Sequence, residues 1–227
     1  VKTVIMSLWR NDGDRNLLRR AQHLIDKTTT HGTISWLWAV GDCTDRTELR
    51  LRNLAVDESI YNTIRVMNVD TNIIGEDTPA RRIRSSRSAT AMFAHPDVKS
   101  ADFVLLHESD LISPTDVIDR LMLAGKGEPC AGWPIINLGK SSQFYDIWAY
   151  AHANGKPFDL RERRPAKPIP VSSFGSVWLA PASIVCGRVL HENAIRDLCK
   201  QWKNENIPMW CDATTEIVQP VELWEAS

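Results

Sequence analysis

Four times in the first 125 residues a short apolar run passes through a polar turn into a segment of helical period. Runs of this length suit strands buried on both faces, and their regular alternation with helices calls for crossover connections, hence a mainly parallel sheet. The runs are "VKTVIMSLW", "ISWLWAV", "IRVMNV" and "ADFVLL". After the first, Leu17, Leu18, Ala21, Leu24 and Ile25 are spaced for one helix face. "DCTDRTELRLRNLA" reads as a turn feeding a helix capped by Thr44 or Asp45. Asp77-Thr78-Pro79 gives a cap followed by proline at the first helical position, and that helix should reach about Ala94. Ser113-Pro114 opens a fourth helix with Val117, Ile118, Leu121 and Met122 on one face, ending near Gly125.

Beyond Gly125 the pattern changes. "PCAGWPIIN" and "VSSFGSVWLAP" read as strands, and "RERRPAKPIP" between them reads as a basic, proline-rich loop, exposed or able to act as a lid. "HENAIRDLCKQWKNEN" is a helix, and "MWCDATTEIVQPVELW" a strand or extended tail. No internal repeat or strong linker divides the chain. One domain over residues 1–227 is expected, with a ligand-binding half at 1–125 and a second half at 126–227.

Charge restricts the partners. Lysine plus arginine total 27 against 28 for aspartate plus glutamate, so bulk charge gives no reason to expect a polyanion or an anionic membrane. There is also no helix-turn-helix signature and no zinc-ligand spacing of histidines. Cysteines 43, 130, 186, 199 and 211 form no CxxC pair and are odd in number, which fits free thiols in a reducing compartment. No apolar run reaches the roughly 18 residues of a membrane helix. The N-terminus lacks a basic region followed by an apolar core, so a soluble protein is expected, and the free thiols make the cytoplasm its expected location.

In an open parallel sheet, ligands bind beyond the carboxyl ends of the strands. The polar residues there are Arg10, Asn11 and Asp12, then Asp42 and Asp45, then Glu108, Ser109 and Asp110. Carboxylates at the end of a buried strand cost free energy unless paired. A hard divalent ion such as Mg²⁺ or Mn²⁺ would pair Glu108 and Asp110, keeping coordination positions for phosphate oxygens. A solvated strand end, with Asp110 or Ser113 capping the next helix, is the bland alternative. Asp42 can accept a hydrogen bond from a nucleobase or cap a turn. Arg81, Arg84 and Arg87 lie on the opening turns of a helix, where anions are favoured, and Arg84 or Arg87 is expected at a diphosphate. A solvated charged face is the competing reading for each arginine. His95 and His191 read as helix-end or surface residues.

The turn "VGDCTDRT" at 40–47 and the strand end "LLHESDLISP" at 105–114 resemble, in order and separation, two motifs of the GT-A glycosyltransferases, above all the large family two. The resemblance covers about the first 125 residues. It implies a Rossmann-like GT-A fold, α/β, with a central mainly parallel sheet flanked by helices. It also implies a nucleoside-diphosphate sugar donor, UDP- or GDP-linked, and Mn²⁺ or Mg²⁺ as cofactor. Asp42 would be the nucleobase-contacting carboxylate, because Gly41 stands where the family has its first aspartate. Glu108 and Asp110 would be an ExD form of the DxD motif, and Gln219 would stand where relatives supply a metal-binding histidine. The second half would shape the acceptor side. An inverting reaction needs a general base, for which Asp146, Asp212, Glu216 and His107 are candidates, Asp212 chosen first. Trp133 and Trp148 are the tryptophans chosen for sugar stacking, although core packing accounts for most tryptophans.

Two other classes stay open at this point. A sugar-nucleotide-forming nucleotidyltransferase should carry a glycine-rich phosphate loop after the first strand, where "LWRNDGDR" has only Gly13. A catalytically silent binding module is favoured by glutamate in place of the first aspartate. The acceptor is unidentified, nucleic acid included.

Overall fold

The computed structural model describes residues 1–10, 15–30, 32–59, 62–73, 78–138, 141–175 and 177–220. The expected cap at Asp77, together with Asn11 and Asp12, lies outside them. The first half runs β1 (Lys2–Trp9), α1 (Arg15–Lys27), β2 (Thr33–Val40), α2 (Thr47–Asp57), β3 (Thr63–Asn68), α3 (Thr78–Phe93), the single turn α4 (Pro96–Lys99), β4 (Phe103–His107) and α5 (Val117–Gly125). The second half adds β5 (Cys130–Leu138), β6 (Ser141–Phe144), β7 (Ala151–His152), β8 (Ile169–Ser173), β9 (Val177–Pro181), α6 (Ala194–Asn204) and β10 (Met209–Gln219).

These strands form one mixed sheet in the order β3-β2-β1-β4-β9-β5-β10-β8-β7, with β6 beside β5. β3, β2, β1 and β4 are parallel. β9 lies antiparallel between β4 and β5, which returns β5 and its parallel neighbour β10 to the direction of β1. The carboxyl ends of β1, β2, β4, β5 and β10 therefore share one edge. Along β1 the apolar side chains alternate between two cores: Val4 and Met6 join α3 and α6 on one face, and Ile5 joins α1, α2 and α5 on the other. Burial on both faces is why β1 reads as a nearly unbroken apolar run.

Three local readings are corrected. "VSSFGSVWLAP" is two strands, β8 and β9. A side chain at Gly175, in the break between them, would collide with Ala149 Cβ at 2.5 Å. The helix expected from Ser113 starts at Val117 with Asp116 in the cap position, and the Ser113 hydroxyl bonds His107 instead. The helix expected from a cap at Thr44 or Asp45 starts at Thr47 with Arg46 in the cap position and no side-chain cap bond; Asp45 accepts from the Thr47 amide at 2.9 Å in a turn just before it.

Candidate active site

β4 delivers the acidic loop. The His107 ring is 2% exposed and lies 2.8 Å from the Glu108 carbonyl through Nδ1 and 3.0 Å from the Ser113 hydroxyl through Nε2. A carbonyl only accepts, so Nδ1 carries the proton and Nε2 accepts from Ser113. Burial holds the imidazole pKa down at about 4, keeping it neutral near pH 7. The Ser7 hydroxyl in β1 donates to the His107 carbonyl at 2.8 Å. His107, a candidate base by sequence, is thus a fixed strut for the loop 108–113.

Glu108 follows in an environment hostile to its charge. Burial, then the carboxylates of Asp110 and Asp146, push its pKa well above the usual carboxylate range. Asp110 accepts from Gln219 Nε2 at 3.3 Å, so the end of β10 does reach the acidic loop. Among the described residues no three His, Cys, Asp or Glu side chains group closely enough to hold a metal alone. The donor set still fits a hard cation: oxygen ligands and a concentration of negative charge whose mutual repulsion a divalent ion would relieve.

The loop opens onto a cavity of about 400 Å³ lined by Arg10, Arg20, Arg81, Glu108, Ser109 and Asp110, with an apolar wall that includes Phe93, Trp178 and Leu198. A second cavity of about 400 Å³ holds Gly41, Asp42, Arg84 and Ser88. Leu8, Arg10, Arg81 and Ser85 line both, so the two are compartments of one cleft along the carboxyl ends of β1, β2 and β4. Asp42 and Asp110 thus line adjoining compartments that share Arg10 and Arg81.

The Asp42 end is built by a close crossing. A Cβ on Gly41 would lie 2.4 Å from the Val69 carbonyl oxygen, so no side chain fits there and the carboxylate must come from the next position. Asp42 sits at φ +50°, a left-handed conformation that aspartate tolerates better than most residues. Its carboxylate takes the Thr71 amide at 3.1 Å and the Thr71 hydroxyl, clamping the chain after β3. A carboxylate offers about four acceptor positions, so capacity toward the cleft is left.

The arginines divide. Arg84 is 4% exposed and donates to the Ile73 carbonyl at 3.2 Å while lining the Asp42 compartment. Arg87 is exposed, donates to the Thr71 carbonyl and lines neither compartment, so it supports the clamp. Arg20 and Arg81 were not chosen from sequence, yet both line the cleft. Arg20 stacks over Trp9, 5.7 Å from the ring centroid, which steers it toward the end of β1. For Arg81 a signal existed: Arg81, Arg84, Ser85 and Ser88 share one helix face, whereas Arg87 turns away.

Three further expectations are corrected. Trp133 is 2% exposed and packs against Phe144 and Phe158, so it is core rather than a sugar platform. Asp212 is 3% exposed and accepts from the amide and hydroxyl of Thr214 and the hydroxyl of Thr215, stapling a bulge in β10. It pairs with Gly132, whereas Gln219 at the cleft end pairs with Ile136, four residues or about 13 Å further along β5. Asp212 therefore stands well below the cleft. Glu216 is bound there by Arg164, which also donates to the Ala213 carbonyl at 2.5 Å, so this part of the basic loop 161–167 is docked on the bulge and is not a lid. Asp146 is the one remaining base candidate near the acidic loop, close enough to raise the Glu108 pKa.

No helix among the described residues is long and apolar enough to cross a membrane. No family model and no curated protein matches the chain. Solved structures do. One is GalNAc-T7 with UDP, GalNAc and Mn²⁺, with a TM-score of 0.60, 9% identity, and coverage of 97% of this chain and 44% of that one. Another is S. aureus TarS 1-349, with a TM-score of 0.55, 10% identity, and coverage of 97% of this chain and 60% of that one. The chain spans about half the length of these structures. Its sheet order, flanking helices and these likenesses together identify it as an α/β protein of the GT-A fold.

Proposed function

We propose that the chain is a glycosyltransferase that moves a sugar from a nucleoside-diphosphate sugar to a hydroxyl acceptor. The observation that carries this reading is the cleft with Asp42 in one compartment, Arg10, Arg20, Arg81 and Arg84 along its wall, and Glu108, Ser109 and Asp110 in the other. A nucleotide laid along it places its base by Asp42, its diphosphate against guanidinium groups suited to phosphate oxygens, and its sugar beyond Asp110. The donor is UDP- or GDP-linked, and the GalNAc-T7 structure with UDP and Mn²⁺ is in keeping with that choice.

Glu108 and Asp110 would hold Mn²⁺ or Mg²⁺, which when bound supplies Lewis-acid stabilisation of the leaving diphosphate. The protein's own groups do the rest. Gln219 orients Asp110, and His107 fixes the backbone that carries Glu108. Asp146 takes the proton of the acceptor hydroxyl as the new bond forms at the anomeric carbon. The old C–O bond breaks on the other side, its electron pair leaving with the nucleoside diphosphate beside the arginines. Attack opposite the leaving group inverts the anomeric centre.

The two halves then divide the work, residues 1–125 holding the donor and 126–227 the acceptor. Five free thiols support a reducing compartment such as the cytoplasm. Cys130 and Cys211, on adjacent strands, face opposite cores and are placed apart rather than poised to pair. The test is a thermal-shift screen of UDP-, GDP- and CDP-sugars with and without Mn²⁺. The cognate donor at 100-fold excess over its Kd should add about 3 kcal/mol, a rise in Tm of roughly 6–12 °C for a chain this size. No shift from any of them would remove the donor assignment.

A further inference from the structure

Trp148 is 72% exposed, yet its backbone is firmly held. The Asp146 carbonyl accepts from the amides of Ala149 and Tyr150, both at 3.3 Å. The buried Tyr150 hydroxyl lies 2.7 Å from the Gly132 carbonyl and 3.1 Å from that of Gly175. Arg196 Nη2 donates to the Trp148 carbonyl at 2.8 Å. A large flat ring on a fixed turn is a preorganised contact surface, with little conformational freedom left to lose on binding.

The ring borders a groove of about 170 Å³ lined also by Arg82, Ala149, Asn193, Ile195 and Arg196. Both charges of this lining are positive. The adjoining wider groove, which Arg82 and Arg196 also line, holds Glu192 and Asp197; one oxygen of Asp197 accepts from the amides of His191, Glu192 and Asn193 at 2.8–3.2 Å. The groove adjoins the Asp110 compartment, since Ile195 lines both. At Gly175, a Cβ would meet Ala149 Cβ at 2.5 Å, Asp146 Oδ2 at 2.9 Å and Ile195 Cδ1 at 3.8 Å. The carboxylate of Asp146 and the lining of the Trp148 groove thus converge on one point.

We propose that this groove is the acceptor subsite and takes a sugar bearing a phosphate, its apolar face on Trp148 and its anion between Arg82 and Arg196. This rests on the glycosyltransferase reading and adds to it the chemical class of the acceptor. Flat aromatic rings suit sugar C–H faces, and two guanidinium groups suit a phosphate better than a neutral hydroxyl. A phosphate held there leaves the far hydroxyls of the same molecule directed toward Asp146.

The test uses glucose 6-phosphate, glucose, inorganic phosphate and a short single-stranded oligonucleotide as probes, read by ligand-detected NMR on the whole chain saturated with UDP or GDP and Mn²⁺. Glucose 6-phosphate should bind about tenfold or more tightly than glucose or inorganic phosphate. Trp148→Ala and Arg82→Glu should each weaken it about tenfold and leave nucleotide affinity unchanged. Arg196, not Arg82, holds the Trp148 carbonyl, so the Arg82 variant reports on charge with that hydrogen bond intact. Equal binding of glucose and glucose 6-phosphate, indifference to both variants, no saturable binding by about 10 mM, or preference for the oligonucleotide would overturn the proposal. Failure of the nucleotides alone, measured in the same samples, would instead strike the donor reading.

Discussion

Replacing Glu108 by glutamine is expected to make the metal-free protein more stable while cutting sugar transfer by about 10²-fold or more. The wild-type carboxyl is half-buried beside Asp110 and Asp146, and its folded pKa stands above the ordinary 4.5. A group raised in this way gives its full contribution to stability below its unfolded pKa and loses it as pH rises through the folded value. In chelator, wild type should therefore weaken relative to Glu108→Gln from about pH 4.5 upward, and the two should converge below it. Each kcal/mol recovered raises Tm by about 2–4 °C in a chain of this length. Thermal melts across pH in chelator, beside transfer assays with Mn²⁺, check both halves. A variant less stable at pH 8 would show that Glu108 is a structural acceptor.

Asp146→Asn is expected to lower turnover by about 10²–10⁴-fold with donor affinity and Mn²⁺ affinity unchanged. Asparagine keeps the shape of the side chain and loses the ability to take a proton. Asp212→Asn serves as the contrast: loosening the Thr214 and Thr215 staple should lower Tm and leave the chemical step within a few-fold of wild type. Rapid-quench measurement of a single turnover separates the two. If Asp146→Asn weakens Mn²⁺ instead, Asp146 belongs to the cation's shell and the base lies elsewhere.

Much of the fold was legible because apolar period survives folding. β1, β2 and β4 are buried on both faces and read as apolar runs, and α1 has its stripe on the core face. The site was legible where topology alone places residues: Arg10, Asp42, Glu108 and Asp110 follow strands whose ends share an edge. Side-chain direction was not. Arg20 and Arg81 resemble any charged residues on a helix, and only the approach of α1 and α3 to the strand ends makes them cleft residues. Trp133 and Trp148 are the same residue type fifteen positions apart, but one points into the core from β5 and the other rides a surface turn. Asp212 was misplaced because three unpaired residues break the register of β10, and strand periodicity does not announce a bulge. The signal was the local "DATT", whose threonine donors suit an aspartate-headed turn.

The central claim is that a divalent cation and a nucleoside diphosphate share one site, each completing what the protein leaves open. Two carboxylates, with no third His, Cys, Asp or Glu grouped with them among the described residues, make a weak site for the ion alone. Binding free energies are reciprocal, so each ligand must strengthen the other by the same factor. Calorimetric titration of Mn²⁺ into the protein, alone and with saturating UDP or GDP, tests this directly. Correction for Mn²⁺ bound by free nucleotide is part of the measurement. The account predicts Mn²⁺ affinity at least about tenfold higher with the cognate nucleotide, and loss of that gain in Asp110→Ala. Equal Mn²⁺ affinity with and without nucleotide, or a gain that survives Asp110→Ala, would contradict it.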